Sequence, residues 1–147
     1  MFRIRRVRPF VLIALLAAVG CGRAGFHPVR GQFVNEDGQP VTELADFQVI
    51  FEGKAPDGKQ YSAVGTIDKE GRFELYTDQP GDGAPLGMCK VLVSPNMIDS
   101  EREAPYPLDR KYRSFDTSEL TAEVKAESNA FTFPVAMKKS KPKDKAK

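Results

Sequence analysis

The sequence predicts an all-β protein, a seven-stranded Greek-key β-sandwich, and three observations carry that prediction. Seven short runs alternate apolar and polar side chains with the period of two that a half-buried strand needs. Clusters of Gly, Pro, Asn and Asp separate the runs and supply turns at short intervals. No stretch of the body places apolar residues at helical spacing, so the runs have only one another to pack against.

The first run, His27 to Val34, ends in Asn35-Glu36-Asp37-Gly38-Gln39-Pro40, a strong turn signal. In the second, Phe47, Val49 and Phe51 share one face. Pro56-Asp57-Gly58 then turns the chain into Gln60 to Ile67, where Tyr61, Ala63 and Gly65 alternate with Ser62, Val64 and Thr66. Asp68-Lys69-Glu70-Gly71 reads as a tight hairpin connection, with Gly71 free to take positive φ. The fourth run, Phe73 to Thr77, points Phe73 and Leu75 inward and Glu74 outward. Asp78 to Pro85, rich in Pro, Gly and Asp, reads as a loop outside any regular element.

Gly87 to Ser94 is the fifth run, with Cys89, Val91 and Val93 on one face and Lys90 on the other. Residues 95–118 hold Pro95, Pro105 and Pro107 and no clear period, which predicts a long loop, the kind that is often functional or mobile. Leu120 to Lys125 resumes the alternation. Asn129 precedes the last run, where Phe131, Phe133 and Val135 alternate with Thr132 and Pro134. Pro134 has no N–H to donate, so that strand end belongs at a sheet edge or at the strand's last unpaired position. Phe33, Phe47, Val49, Phe51, Phe73, Leu75, Val91, Val93, Leu120, Val124, Phe131 and Phe133 form the expected core. A domain of ~110 residues buries roughly two-thirds of its unfolded surface, so no disulfide is needed to hold it.

A chain of 147 residues is one domain with appendages: residues 1–20, a tether at 21–25, the domain at 26–137 and a tail at 138–147. Its formal charge of +2 hides an asymmetry. Arg3, Arg5, Arg6 and Arg8 lie in the first 20 residues without an acid, and residues 138–147 carry six Lys against Asp144. Between these ends 12 Lys and Arg face 19 Asp and Glu, a net of −7. An acidic body argues against nucleic acid as a partner, which would demand basic residues spread over a folded face. The tail has almost no apolar residue and is expected to be disordered. It reads either as a solubilising extension or as an electrostatic contact for anionic lipid or cell-wall polymer.

Met1–Arg8 is basic and Pro9–Val19 apolar. Eleven apolar residues as a helix would cross only about half of a ~30 Å hydrocarbon core, which makes this a signal peptide rather than an anchor helix. Leu16-Ala17-Ala18-Val19-Gly20-Cys21 resembles the lipobox of bacterial lipoproteins. That resemblance implies a diacylglyceryl group on the Cys21 thiol, cleavage before Cys21 and an acylated new amine. The chain would then be anchored at the bacterial cell envelope, on the extracytoplasmic side of a membrane it does not span. The competing reading of Cys21 is a free thiol or disulfide partner behind an ordinary signal peptide. Lipidation would take the formal charge from +2 to −2 by removing four Arg. Gly22 to Gly25 would reach only about 14 Å at roughly 3.5 Å per residue, holding the domain close to the bilayer. Cys89, within an alternating run, reads as a buried inert thiol.

Several motifs carry a second likeness. Gly31-Gln32-Phe33-Val34 with Asp37-Gly38-Gln39-Pro40-Val41 resembles the opening of carboxypeptidase regulatory-like domains, of the transthyretin-like (prealbumin-like) group of seven-stranded sandwiches. Asp68-Lys69-Glu70-Gly71-Arg72-Phe73 is similar to that family's Asp-x-x-Gly-x-Phe hairpin. Gly87 with Lys90-Val91-Leu92-Val93 is similar to its Gly-x-Tyr-x-Val-x-Val strand, Cys89 standing where an aromatic is usual. Pro107 to Tyr112, Ser118-Glu119-Leu120-Thr121 and Asn129 to Phe133 are similar to the ending of small bacterial lipoproteins built on this domain. The likeness spans about residues 28–136. It implies an anchored, extracytoplasmic module for packing, adhesion or carbohydrate contact, with no catalytic residues and no cofactor.

The residues offer little catalytic chemistry. Hydroxyisourate hydrolases share the implied fold and use His and Arg with a Tyr-Arg-Gly-Ser terminus, whereas this chain has only His27 and ends in Lys. A small extracytoplasmic hydrolase would need that single imidazole beside Cys89 or a Ser. Zinc needs three or four N or S ligands, and the sequence has too few. Asp78 and Asp82 share a Gly-rich loop and raise the question of a weak Ca²⁺ site, set against ordinary turn chemistry. Asn129 precedes the last strand where an isopeptide Asn would stand, but the first strand offers Arg30 and no Lys. The best binding candidate is the aromatic and basic loop of Tyr106, Arg110, Lys111, Tyr112 and Arg113, because Tyr and Arg anchor interfaces and stack on sugars. The competing reading has Tyr112 covering the end of the core. The expected protein is therefore a lipid-anchored envelope module without catalysis, structural or binding; the alternative partners are an envelope polysaccharide or protein met by this loop.

Overall fold

The computed structural model describes residues 25–96 and 105–138. The expected signal peptide and Cys21, residues 97–104 of the expected 95–118 loop and the tail beyond Lys138 lie outside the described residues. Those residues are all-β: β1 Phe26–His27, β2 Val29–Val34, β3 Gln48–Lys54, β4 Gln60–Thr66, β5 Arg72–Glu74, β6 Ala84–Pro85, β7 Gly87–Ser94, β8 Leu120–Val124 and β9 Asn129–Pro134. Two 3₁₀ turns, Thr42–Leu44 and Arg110–Arg113, are the helical elements among them.

Seven of these strands stand where the alternation put them, with corrections. The first run is split at Pro28, which cannot donate to a ladder. Phe26–His27 turns aside to pair antiparallel with Ala84–Pro85, so part of the stretch read as a plain loop is a strand. Gly83, at φ +89°, makes that approach possible, since a Cβ there would fall 1.8 Å from the His27 carbonyl oxygen. The second run continues three residues past Phe51 to Lys54. The fourth is shorter than Phe73 to Thr77: the Leu75 N–H donates to Val29 O at 3.0 Å, and Tyr76 crosses to exchange two hydrogen bonds with Val64. This segment ties one sheet to the other.

β5, β2 and β9 form one sheet, in that order, and β4, β3, β7 and β8 another. β2 and β9 pair in parallel, from Val29 opposite Asn129 to Val34 opposite Pro134. Pro134 thus ends an edge strand, as its missing N–H requires. The remaining pairings are antiparallel. The two sheets meet through aromatic rings. Phe51 of β3 lies 6.0 Å from Phe73 and 5.9 Å from Phe133, centroid to centroid, and Phe33 lies 5.4 Å and 5.5 Å from the same two. Burial of the predicted core holds except at Leu120 and Phe131, which are half-buried. Val41, Leu44, Ile67 and Leu108, from connecting segments, are fully buried beside it.

The connections follow the turn chemistry. Gly71 takes φ +73°, and its N–H donates to Asp68 O at 3.0 Å. Asp68 Oδ1 accepts from the Glu70 and Arg72 N–H groups, an arrangement repeated by Asn35 with Asp37 and Gln39. Because β2 and β9 run the same way, the chain enters and leaves at opposite poles. Gly25 sits beside the Ala55–Lys59 turn, with its carbonyl accepting from Leu86 N at 3.0 Å. Lys138 lies at the other pole, where its N–H donates to Pro107 O at 2.8 Å.

Candidate functional site

The 105–118 segment is built inward before it is built outward. Residues 107–109 run alongside 136–138, with Asp109 N–H donating to Ala136 O at 3.0 Å and Leu108 bridged to Met137. Asp109 then caps the 3₁₀ turn, its Oδ1 accepting from Lys111 N at 3.0 Å. Such a side-chain cap satisfies one of the donors that a turn's start leaves open.

Both tyrosines of the loop belong to the core. Tyr106 is 8% exposed, packs on Phe47 at 5.9 Å and donates its hydroxyl to Val93 O at 3.0 Å. Burial pushes its phenol pKa up. Tyr112 is 5% exposed, and its hydroxyl accepts from the Ala136 N–H at 3.1 Å. The hydroxyl of buried Ser118 donates to Val91 O and so fixes the end of the segment on β7. A ligand approaching this loop would therefore meet its cations rather than its rings. Of the two readings of this loop, the burial of Tyr112 fits the one in which it covers the end of the core, and Tyr106 is buried with it. The apolar periodicity was hidden because one 3₁₀ turn breaks the spacing of Tyr106, Leu108 and Tyr112.

Arg110 and Arg113 are exposed and Lys111 is half-buried. Lys111 Nζ lies 3.0 Å from Glu119 Oε2, and the carboxylate beside it raises the Lys111 pKa. The same ammonium stands 5.2 Å from the Tyr112 ring centroid, and Arg113 Cζ stands 5.2 Å from that of Tyr106. The arrangement offers charged donors on a rigid base.

Other candidates are resolved by their partners. Asp82 binds its own loop: Oδ1 accepts from Thr77 N at 2.7 Å, and Oδ2 from Asp78 and Gln79 N at 2.9 Å each. These N–H groups occupy the oxygens that a cation would use, so Asp82 reads as turn chemistry. Among the described residues no group of three His, Cys, Asp or Glu side chains could hold a metal ion. Cys89 is 1% exposed, contacts the Pro85 and Gly87 carbonyls at 3.6 and 3.9 Å, and has its pKa pushed up by burial to about 11. Such a thiol is a poor nucleophile. His27 pairs with Ala84 through the backbone of β1. Asn129 uses its side chain locally: Oδ1 accepts from Lys125 N, and Nδ2 donates to the Lys125, Glu127 and Pro28 carbonyls.

Shallow grooves mark the surface of the described residues. One of about 560 Å³ is lined by Gly25, Phe26, Ala55, Pro56, Asp57, Lys59 and Tyr61. Another, of about 290 Å³, lies over Arg30, Gly31, Arg72 and Glu74 on the three-stranded sheet. Among the described residues every buried side-chain N or O has a hydrogen-bond partner, and no helix is long and apolar enough to cross a membrane.

No family model matches the chain, and no curated protein matches it. Among solved structures, a 9R-lipoxygenase from Cyanothece PCC8801 is similar over 76% of this chain at 15% identity, with a TM-score of 0.38. The chain spans 17% of that protein's length, and a likeness this slight carries no argument about fold or activity.

Proposed function

We propose that the chain is a lipid-anchored module of the bacterial cell envelope with a non-catalytic, structural or binding role. In this reading its body is a seven-stranded Greek-key sandwich of the carboxypeptidase regulatory-like kind. The observation that carries the address is Leu16–Cys21 behind a basic and then apolar leader. The three-plus-four partition of the longer strands supports the sandwich reading. The buried Cys89, hydrogen-bonded to carbonyls rather than to a base, supports a role without nucleophilic chemistry. Intact mass and detergent partition of the wild type and of Cys21→Ser, both made in a bacterium, test the proposal. Wild type should enter the detergent phase with the mass of an acylated chain starting at Cys21. If both proteins stay in the aqueous phase and are cut elsewhere, the anchor is refuted.

A second reading, an adhesion module for envelope polysaccharide or protein, is favoured by the cations of Arg110–Arg113. They project from a turn that Tyr106 and Tyr112 hold in place. Binding to an anionic glycan array that disappears in Arg110→Ala/Arg113→Ala, with the fold intact, would support it. Equal binding by both proteins would remove it.

A further inference from the structure

We infer that the pole carrying the Ala55–Lys59 turn and Met88 is a membrane-resting surface, its partner the phospholipid headgroup layer. The inference rests on the proposed anchor at Cys21 and adds the face the domain turns to the bilayer.

Position is the first argument. Gly25, the first described residue, packs against this pole: a side chain there would meet Pro56 at 3.6 Å. Three residues, Gly22 to Ala24, separate it from Cys21, and the four steps span about 14 Å at most, at roughly 3.5 Å per residue. The five steps of β2 from Val29 to Val34 add about 17 Å at ~3.3 Å per residue, so the opposite pole is out of the tether's reach.

Chemistry is the second. Met88 is 62% exposed on the outer face of β7, the most exposed large apolar side chain among the described residues. Pro56 is exposed in the Ala55–Lys59 turn, and Tyr61 is half-buried with its hydroxyl donating to Asp57 Oδ2 at 2.9 Å. Half-wet tyrosines and long lysines suit a headgroup layer, where an apolar body and a polar tip both find their medium. Lys54, Lys59 and Lys125 are exposed at this pole alongside Asp57, Glu123 and Glu127, and their long side chains can set an ammonium beside a lipid phosphate. The far pole carries both signs, Glu36, Asp37, Glu43 and Asp46 in the turns after β2 and Arg110, Lys111 and Arg113 in the 3₁₀ turn, so charge does not choose between the poles and the tether does. Lys138 also lies at the far pole, so the Lys-rich run that follows it starts on the side away from the bilayer.

The test uses the acylated full chain in phosphatidylethanolamine/phosphatidylglycerol vesicles doped with a nickel-chelating lipid. Nitroxides are placed at Pro56→Cys and Ala126→Cys on the near pole and at Glu36→Cys on the far pole. All three sites are exposed, and Cys89 is too buried to take the label. Relaxation by the lipid-borne nickel should be several-fold stronger at Pro56→Cys and Ala126→Cys than at Glu36→Cys. Intact mass is read on the same samples. Acylated protein with equal relaxation at the two poles, or with the order reversed, overturns the inference alone. Protein without acyl chains removes the anchor and the inference together.

Discussion

Gly31 lies directly against the ring of Phe73, its antiparallel partner across β2 and β5. A Cβ at Gly31 would stand 2.4 Å from Phe73 Cζ and 2.8 Å from the Phe131 carbonyl oxygen. The ring is wedged among Phe33, Phe51 and Phe133, so it has nowhere to retreat. Gly31→Ala should therefore destabilise the fold by about 1–3 kcal/mol, the usual range for overpacking a tight core. Urea unfolding measures it. A Gly31→Ala midpoint equal to wild type would mean that the sheet shifts to accommodate the methyl.

Asp82 organises the loop before β6 by accepting three backbone N–H groups. Asp82→Ala should cost about 1.5–3 kcal/mol, the range for hydrogen bonds to charged groups. Hydrogen exchange at Thr77, Asp78 and Gln79 should accelerate more than in β3. Added Ca²⁺ should leave the exchange of these amides unchanged in the wild type.

Tyr112 tests the two readings of its loop. Tyr112→Phe keeps the ring and removes the acceptor of the Ala136 N–H, which should cost about 1–3 kcal/mol for a buried group left unsatisfied. Tyr112→Ala should cost more, about 3–5 kcal/mol, because an aromatic volume leaves the core. Arg110→Ala, fully on the surface, should change stability by less than about 0.5 kcal/mol. Thermal melts order the three variants. Loss of ligand binding in Tyr112→Ala alone would report unfolding, so the arginine variants are the proper probes of contact.

Cys89 gives a pH dependence of known sign. Burial disfavours the thiolate, so the folded chain keeps this proton to higher pH than the unfolded chain does. The stability it contributes is full below the ordinary thiol value and is lost as pH rises through about 11. Cys89→Ala should flatten the alkaline decline in urea midpoint across that window. Alkylation at neutral pH should be negligible in the folded chain and complete after unfolding.

What could be read from the sequence was local. The alternation of Phe73, Glu74 and Leu75 and the Asp68–Gly71 turn depend on residues within reach of one another along the chain, and both appear in the structure. One missing N–H confined Pro134 to a sheet edge or a last unpaired position, and it stands at the end of edge strand β9. The parallel pairing of β2 with β9 joins residues about 100 positions apart, and no local pattern encodes a partner at that distance. The two-residue strands β1 and β6 are too short to show a period, and they exist because Gly83 lets the backbones touch. Composition left two readings of the loop of Tyr106 and Tyr112, a binding surface and a cover for the end of the core. Only the packing of residues 107–109 against 136–138 turned both rings into the core and left the arginines outside, because burial depends on what the rest of the chain brings to a side chain.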